Sequence, residues 1–108
     1  MKTDWYCKLF ICADVSKEEL LDLINLHLCG VRERIRTIRT ELLELDLIEN
    51  DEYAPGSRDF LFWRYYADLE AVTEDRTEYT SCIRDLMTFL REKQIETIVA
   101  CDFEQAFE

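Results

Sequence analysis

Two stretches of helical spacing divide the chain, and the segments around them leave few folds to choose from. The first opens on Ser16-Lys17-Glu18-Glu19. This is a capping box, in which the serine hydroxyl and the glutamate carboxylate can each satisfy a free backbone N–H. Leu20, Leu21, Ile24 and Leu28 follow at helical intervals, and Gly30 stands where a helix can stop. A helix over 17–29 is expected. The second stretch takes Thr73 or Asp75 as its cap and carries the stripe Tyr79, Cys82, Ile83, Leu86 and Leu90, with an end near Gln94.

The remaining segments read as extended chain. Over 4–13, Trp5, Cys7, Leu9 and Ile11 share one face, and Tyr6, Lys8 and Phe10 share the other. Segment 31–42 fits either helix or strand. Ile35, Ile38 and Leu42 have helical spacing, whereas Thr37, Ile38 and Thr40 favour strand, and Leu43, Leu45 and Leu47 alternate with Glu44 and Asp46. The reading adopted is one long strand over 35–49, bulged near 39–42. Asn50, Pro55 and Gly56 mark a turn region, a strand covers 59–72, and Glu96-Thr97-Ile98-Val99-Ala100-Cys101 begins the last strand. The order strand, helix, strand, strand, helix, strand in 108 residues predicts a single α+β domain. Its expected form is a ferredoxin-like βαββαβ sandwich, a four-stranded antiparallel sheet with both helices on one face. The first and third strands, being the most apolar, would be central.

Charge restricts the partners. There are 24 Asp and Glu against 13 Lys and Arg, a net charge of −11. Such a surface repels nucleic acid and anionic membrane and attracts basic proteins. No apolar run is long enough to cross a bilayer, and the first residues carry charges where a secretory leader needs an apolar run. A cytoplasmic location is the expectation. The five cysteines include no Cys-x-x-Cys pair, and His27 is the one histidine, so no zinc spacing is present and reduced thiols are expected.

Arg58, Phe60, Phe62 and Tyr65 match the third-strand consensus of the RNA-recognition motif, and Leu9-Phe10-Ile11 matches its first-strand triplet. The resemblance implies a base-stacking face carrying Phe10, Phe60 and Phe62. Asp59 and Leu61 replace the two small residues of that consensus, and Trp63 replaces its valine. Asp68 and Glu70 on the same strand and Glu44 and Asp46 beside it oppose a polyanion. The one basic run, Arg32, Arg34, Arg36 and Arg39, is expected to pair with carboxylates.

Without RNA, a face remains. Tyr6, Phe10, Phe62 and Tyr66, with Arg64 between the last two, should project from the helix-free side of the sheet. Aromatics and arginine anchor protein interfaces. The alternative is that a terminus, a loop or a second copy covers this side, the last giving a homodimer. Glu41, Glu44, Asp46, Glu49, Asp51 and Glu52 crowd one segment without a base, and Asp102 is expected near Asp4. The protein-binding residues expected are thus Phe10, Phe62, Tyr66 and Arg64, with Glu44, Asp46 and Asp51 steering a basic partner. In overall character the chain resembles small acidic bacterial proteins of the immunity type, which bind and block a cognate toxin, and its phrases "YYADLE" and "ACDFE" are similar to small uncharacterised bacterial proteins of the expected fold. The resemblance implies an inhibitor of a basic protein and assigns no residue a role.

Enzyme chemistry finds little support. His27 ends a helix two residues from Cys29, a spacing that points the two side chains apart. With two glycines in the chain there is no loop to cradle phosphate. The carboxylates of Asp4, Asp14, Asp102 and Glu104 match no cation-loop spacing. No cofactor is expected.

Overall fold

The computed structural model describes residues 5–101. Strand β1 (Cys7–Cys12) leads into helix α1 (Lys17–Leu28). Three strands follow, β2 (Val31–Glu33), β3 (Thr37–Arg39) and β4 (Leu43–Glu49). A loop containing a 3-10 turn (Phe60–Phe62) then leads to β5 (Tyr65–Ala71), helix α2 (Arg76–Glu92) and β6 (Glu96–Cys101). All strand pairs are antiparallel, in the order β2-β3-β4-β5-β1-β6. The α+β class stands, and the four-stranded ferredoxin-like sheet is corrected to a six-stranded one. β1 and β5 are interior strands, as their apolar content implied.

The two extra strands come from the segment read as one bulged strand. The chain doubles back twice there. Arg34 takes a left-handed backbone (φ 56°) between β2 and β3. At the next reversal the Thr40 hydroxyl accepts from the N–H groups of Leu42 and Leu43, both at 3.0 Å. A threonine side chain thus does what Gly or Asn usually signals in a tight turn.

Alternation on the strands builds the core. Cys7, Leu9 and Ile11, Leu43, Leu45 and Leu47, and Tyr65, Ala67 and Leu69 face the same way. They form one cluster with Leu20, Leu21 and Ile24 of α1 and Tyr79, Ile83, Leu86 and Leu90 of α2. Both helices therefore cover one side of the sheet, and among the described residues the other side has none. The helix starts follow the sequence closely. Ser16 Oγ accepts from Glu19 N–H at 3.2 Å, and Asp75 caps α2 by accepting from Glu78 N–H at 3.1 Å. The left-handed residue ending α1 is Cys29 (φ 54°), one position before the expected glycine.

Gly30 has another task. A Cβ there would stand 2.6 Å from the Arg39 carbonyl oxygen and 2.9 Å from side-chain methyls of Ile38 and Thr40. The glycine lets α1 hand over to β2 directly against β3. Gly30→Ala is expected to destabilise the fold by about 2 kcal/mol, because backbone must move to admit the methyl. Chemical denaturation tests this; an unchanged midpoint would mean that β3 yields freely.

Candidate functional site

The uncovered side of the sheet is set by the strand positions left over from the core. In one row across the sheet stand Ile98, Phe10, Tyr66 and Ile48; the next holds Ala100, Lys8, Asp68, Asp46 and Thr37. A third contains Glu70, Glu44, Arg39 and Val31. Two of these cross-strand neighbours are like-charged carboxylates placed directly opposite: Asp46 with Asp68, and Glu44 with Glu70. Such pairs destabilise a sheet. Local donors offset part of that: Tyr6 O–H donates to Asp68, Thr37 O–H donates to Asp46, and Arg39 reaches Glu44 at 3.2 Å. Glu70 is exposed to solvent.

The aromatic row is partly roofed. The stretch 59–64 is not strand. Asp59 accepts from Leu61 N–H at 3.0 Å and turns the chain into the 3-10 turn. This brings the Phe60 ring edge-on to Phe10, with centroids 5.0 Å apart, and leaves Phe10 only 7% exposed. The strand expected over 59–72 is therefore corrected to Tyr65–Ala71, and 59–62 is not strand. A loop covers the centre of the face, one of the three covers anticipated.

Asn50 holds that loop. Its side-chain NH2 donates to the carbonyls of Leu61 (2.9 Å) and Trp63 (2.8 Å), and its side-chain oxygen accepts from Glu52 N–H (3.0 Å). Its own N–H donates to the Arg64 carbonyl at 2.8 Å. Between loop and sheet runs a groove of about 380 Å³ lined by Lys8, Phe10, Asn50, Asp51, Glu52, Leu61, Phe62 and Tyr66. Four of the seven expected residues, Phe10, Phe62, Tyr66 and Asp51, meet in this groove. Asp46 and Glu44 lie on the same side of the sheet on β4. Phe62 comes from the loop and is 37% exposed. Arg64 does not join them. Its guanidinium lies 5.1 Å from the Tyr65 ring centroid and 3.7 Å from Asp14, on a separate hollow with Trp63, Cys12 and Lys93. Asn50 and Lys8 were not among the expected binding residues, although parity put Lys8 on this face. Asn50 was legible as a turn residue but not as a clasp, because its partners lie 11 and 13 positions away.

Lys8 shows what the aromatic pair can hold. Its ammonium sits 4.4 Å from the Tyr66 centroid and 5.9 Å from that of Phe10, a cation over two ring faces. Arg32 and Arg39 of the basic run pair with Glu18 and Asp22 and with Glu44 respectively, as expected of arginines among carboxylates. The Asp4–Asp102 proximity lies outside the described residues. Among the described residues no group of three His, Cys, Asp or Glu side chains converges as a metal site would. Nor does any described helix have the length and apolarity to cross a membrane.

Three phenols titrate late, Tyr6 on the open side and Tyr65 and Tyr79 in the core. Burial, then the bond to Asp68, raises Tyr6; burial raises Tyr65, whose hydroxyl donates to the Val15 carbonyl at 2.5 Å, and raises Tyr79 beside Cys7. The unfolded chain loses these protons near the ordinary tyrosine value of about 10, and the folded chain keeps them longer. Their contribution is intact below that pH and declines as pH rises above it. Denaturation midpoints should fall through this range, and the tyrosinate absorbance of the native protein should lag behind that of the unfolded chain. Equal tyrosinate absorbance from native and unfolded protein through this range would contradict the burial.

No family model, no curated protein and no solved structure matches this chain.

Proposed function

We propose that this chain is a protein-binding module that captures a basic partner on the helix-free side of its sheet. The observation that carries the reading is the pair of opposed carboxylates, Asp46 with Asp68 and Glu44 with Glu70, beside an aromatic groove that already holds one cation. A partner's lysine or arginine placed between like charges relieves their repulsion, so binding gains what folding gives up. The groove adds ring faces for a cationic head and apolar contact for its stem. The net charge of −11 steers such a partner from a distance. A cytoplasmic inhibitor of the immunity type is the sharper form of this proposal, supported by acidity and small size alone.

The test is Glu70→Lys, read two ways. Lysine opposite Glu44 replaces a repulsive pair with an attractive one, and stability should rise by about 0.5 kcal/mol. The same change should weaken binding of a lysine-rich probe peptide about tenfold. In the parent protein, NMR shifts on adding the probe should centre on Lys8, Asp46, Tyr66 and Asp68. Shifts centred on the acidic surface of α1, or equal affinity in the variant, would overturn the proposal.

A further inference from the structure

We propose that the tip of the β2–β3 hairpin, with the start of α1, binds the phosphate group of a small soluble phosphate monoester. The structure divides the arginines of the basic run. Arg32 is tied to Glu18 at 3.0 Å and Asp22 at 2.6 Å, and Arg39 to Glu44 at 3.2 Å. Arg34 and Arg36 bracket the hairpin tip, and among the described residues neither has an ion-pair partner. The same holds for Lys17, the first residue of α1.

These three cations line one hollow of about 340 Å³ together with Ile35, Thr37 and Asp46. Asp46 already accepts the Thr37 hydroxyl. In a chain with 24 acidic and 13 basic residues, a hollow with three cations and one carboxylate is a local reversal of the protein's charge. The backbone supplies a second observation. Arg34 is left-handed, with φ 56°, a conformation that glycine adopts freely and a side chain makes costly. Residues held this way collect at ligand clamps and switch segments. Here the strain sets a guanidinium at the hollow, and among the described residues it secures no ion pair within the chain.

Charge and size identify the ligand. Two guanidinium groups offer forked donors to phosphate oxygens, and the ammonium adds a point charge, which together suit a dianion. The hollow stands at the small end of ligand sites, roughly 300 to 1,000 Å³. A long polyanion would run past it onto Glu18 beside Lys17 and Glu33 beside Arg34, in the field of a chain with net charge −11. A compact dianion meets the three cations and the already bonded Asp46. Ile35, 76% exposed, gives the organic body of an ester an apolar wall. The inference goes beyond the open-face proposal and shares only Asp46 with it.

The experiment is an NMR titration of the full chain with phenyl phosphate at low ionic strength and about pH 7.5, where a phosphate monoester is a dianion. Amide shifts should centre on Lys17 and on 34–37. Arg34→Gly relieves the backbone while removing the guanidinium, so the denaturation midpoint should hold or rise and affinity should fall about tenfold. Arg36→Gln should weaken binding comparably. Lys93→Gln removes the same charge beside the opposite edge strand and should leave affinity unchanged within about twofold. Absence of shifts at these residues with millimolar phenyl phosphate, or equal affinity in Arg34→Gly, would overturn the proposal. Tighter binding of hexaglutamate or of a single-stranded oligonucleotide at the same amides would overturn it in favour of an acidic polymer. Sedimentation with phosphatidic acid vesicles that is lost in Arg34→Gly would overturn the soluble ligand and place a lipid headgroup there.

Discussion

Leu69→Ala should cost this fold about 3 kcal/mol, within the range of roughly 2 to 5 for fully buried leucines. Leu69 lies in the third interior position of β5, opposite Leu45 on β4 and Cys7 on β1, with no exposure to solvent. Its side chain belongs to the cluster that the sheet shares with both helices, so removing it opens a cavity at the sheet–helix boundary. Close-packed neighbours on two strands cannot collapse into that space without moving the ladder. For a domain of this size the thermal midpoint should fall by roughly 10 to 20 °C. Leu61→Ala is the internal comparison. That leucine is 48% exposed on the loop over the opposite side, and its loss should shift stability by about 0.5 kcal/mol or less. Equal effects at the two positions would mean that the loop side carries as much of the core as the helix side, against a helix layer confined to one side.

What the sequence made legible follows the range of the interactions involved. Helices announce themselves locally, and the capping residues Ser16 and Asp75 sit within three residues of the N–H groups they satisfy. Strand alternation around Leu9, Leu45 and Leu69 is equally local, and it separated core side from open side correctly. The two reversals at Arg34 and Thr40 were not legible. A left-handed arginine and a threonine hydroxyl replace glycine and asparagine there, and the β-branched run through Thr37 and Ile38 fits one long strand as well as two short ones. The aromatic alternation from Arg58 to Tyr65 misled for a related reason. Period-two spacing does not distinguish a strand from a turn fixed by an aspartate side chain, and here Asp59 decides. Of the expected interface, Phe10, Tyr66 and Asp51 are placed by strand parity and by the loop that follows β4. Phe62 reaches the groove by a different route, and Arg64 leaves for Asp14.

Asn50→Ala is expected to dismantle the groove while leaving the sheet standing. The side chain makes three hydrogen bonds to the loop, each worth about 1 kcal/mol in net stability. The Leu61 bond is exposed and water can replace part of it, whereas the bond to the Trp63 carbonyl is part-buried, so a total loss of about 2 kcal/mol is expected. Most of that loss should appear locally. Amides of 51–63 should exchange faster by one to two orders of magnitude, the arithmetic consequence of about 2 kcal/mol of local opening. Phe60 would then leave Phe10, and affinity for a lysine-rich probe should drop because Asp51, Glu52 and Phe62 no longer line the site. Asn50→Asp separates the two halves of the clasp. It keeps the acceptor for Glu52 N–H, but it aims a carboxylate at two carbonyl oxygens, so the loop should open as much as in the alanine variant. At low pH the introduced carboxyl group takes up a proton and regains one donor, and loop exchange in that variant alone should slow again. If both variants leave exchange over 51–63 at the parental rate, the loop is held by its aromatic contacts instead, and the groove's shape does not depend on Asn50.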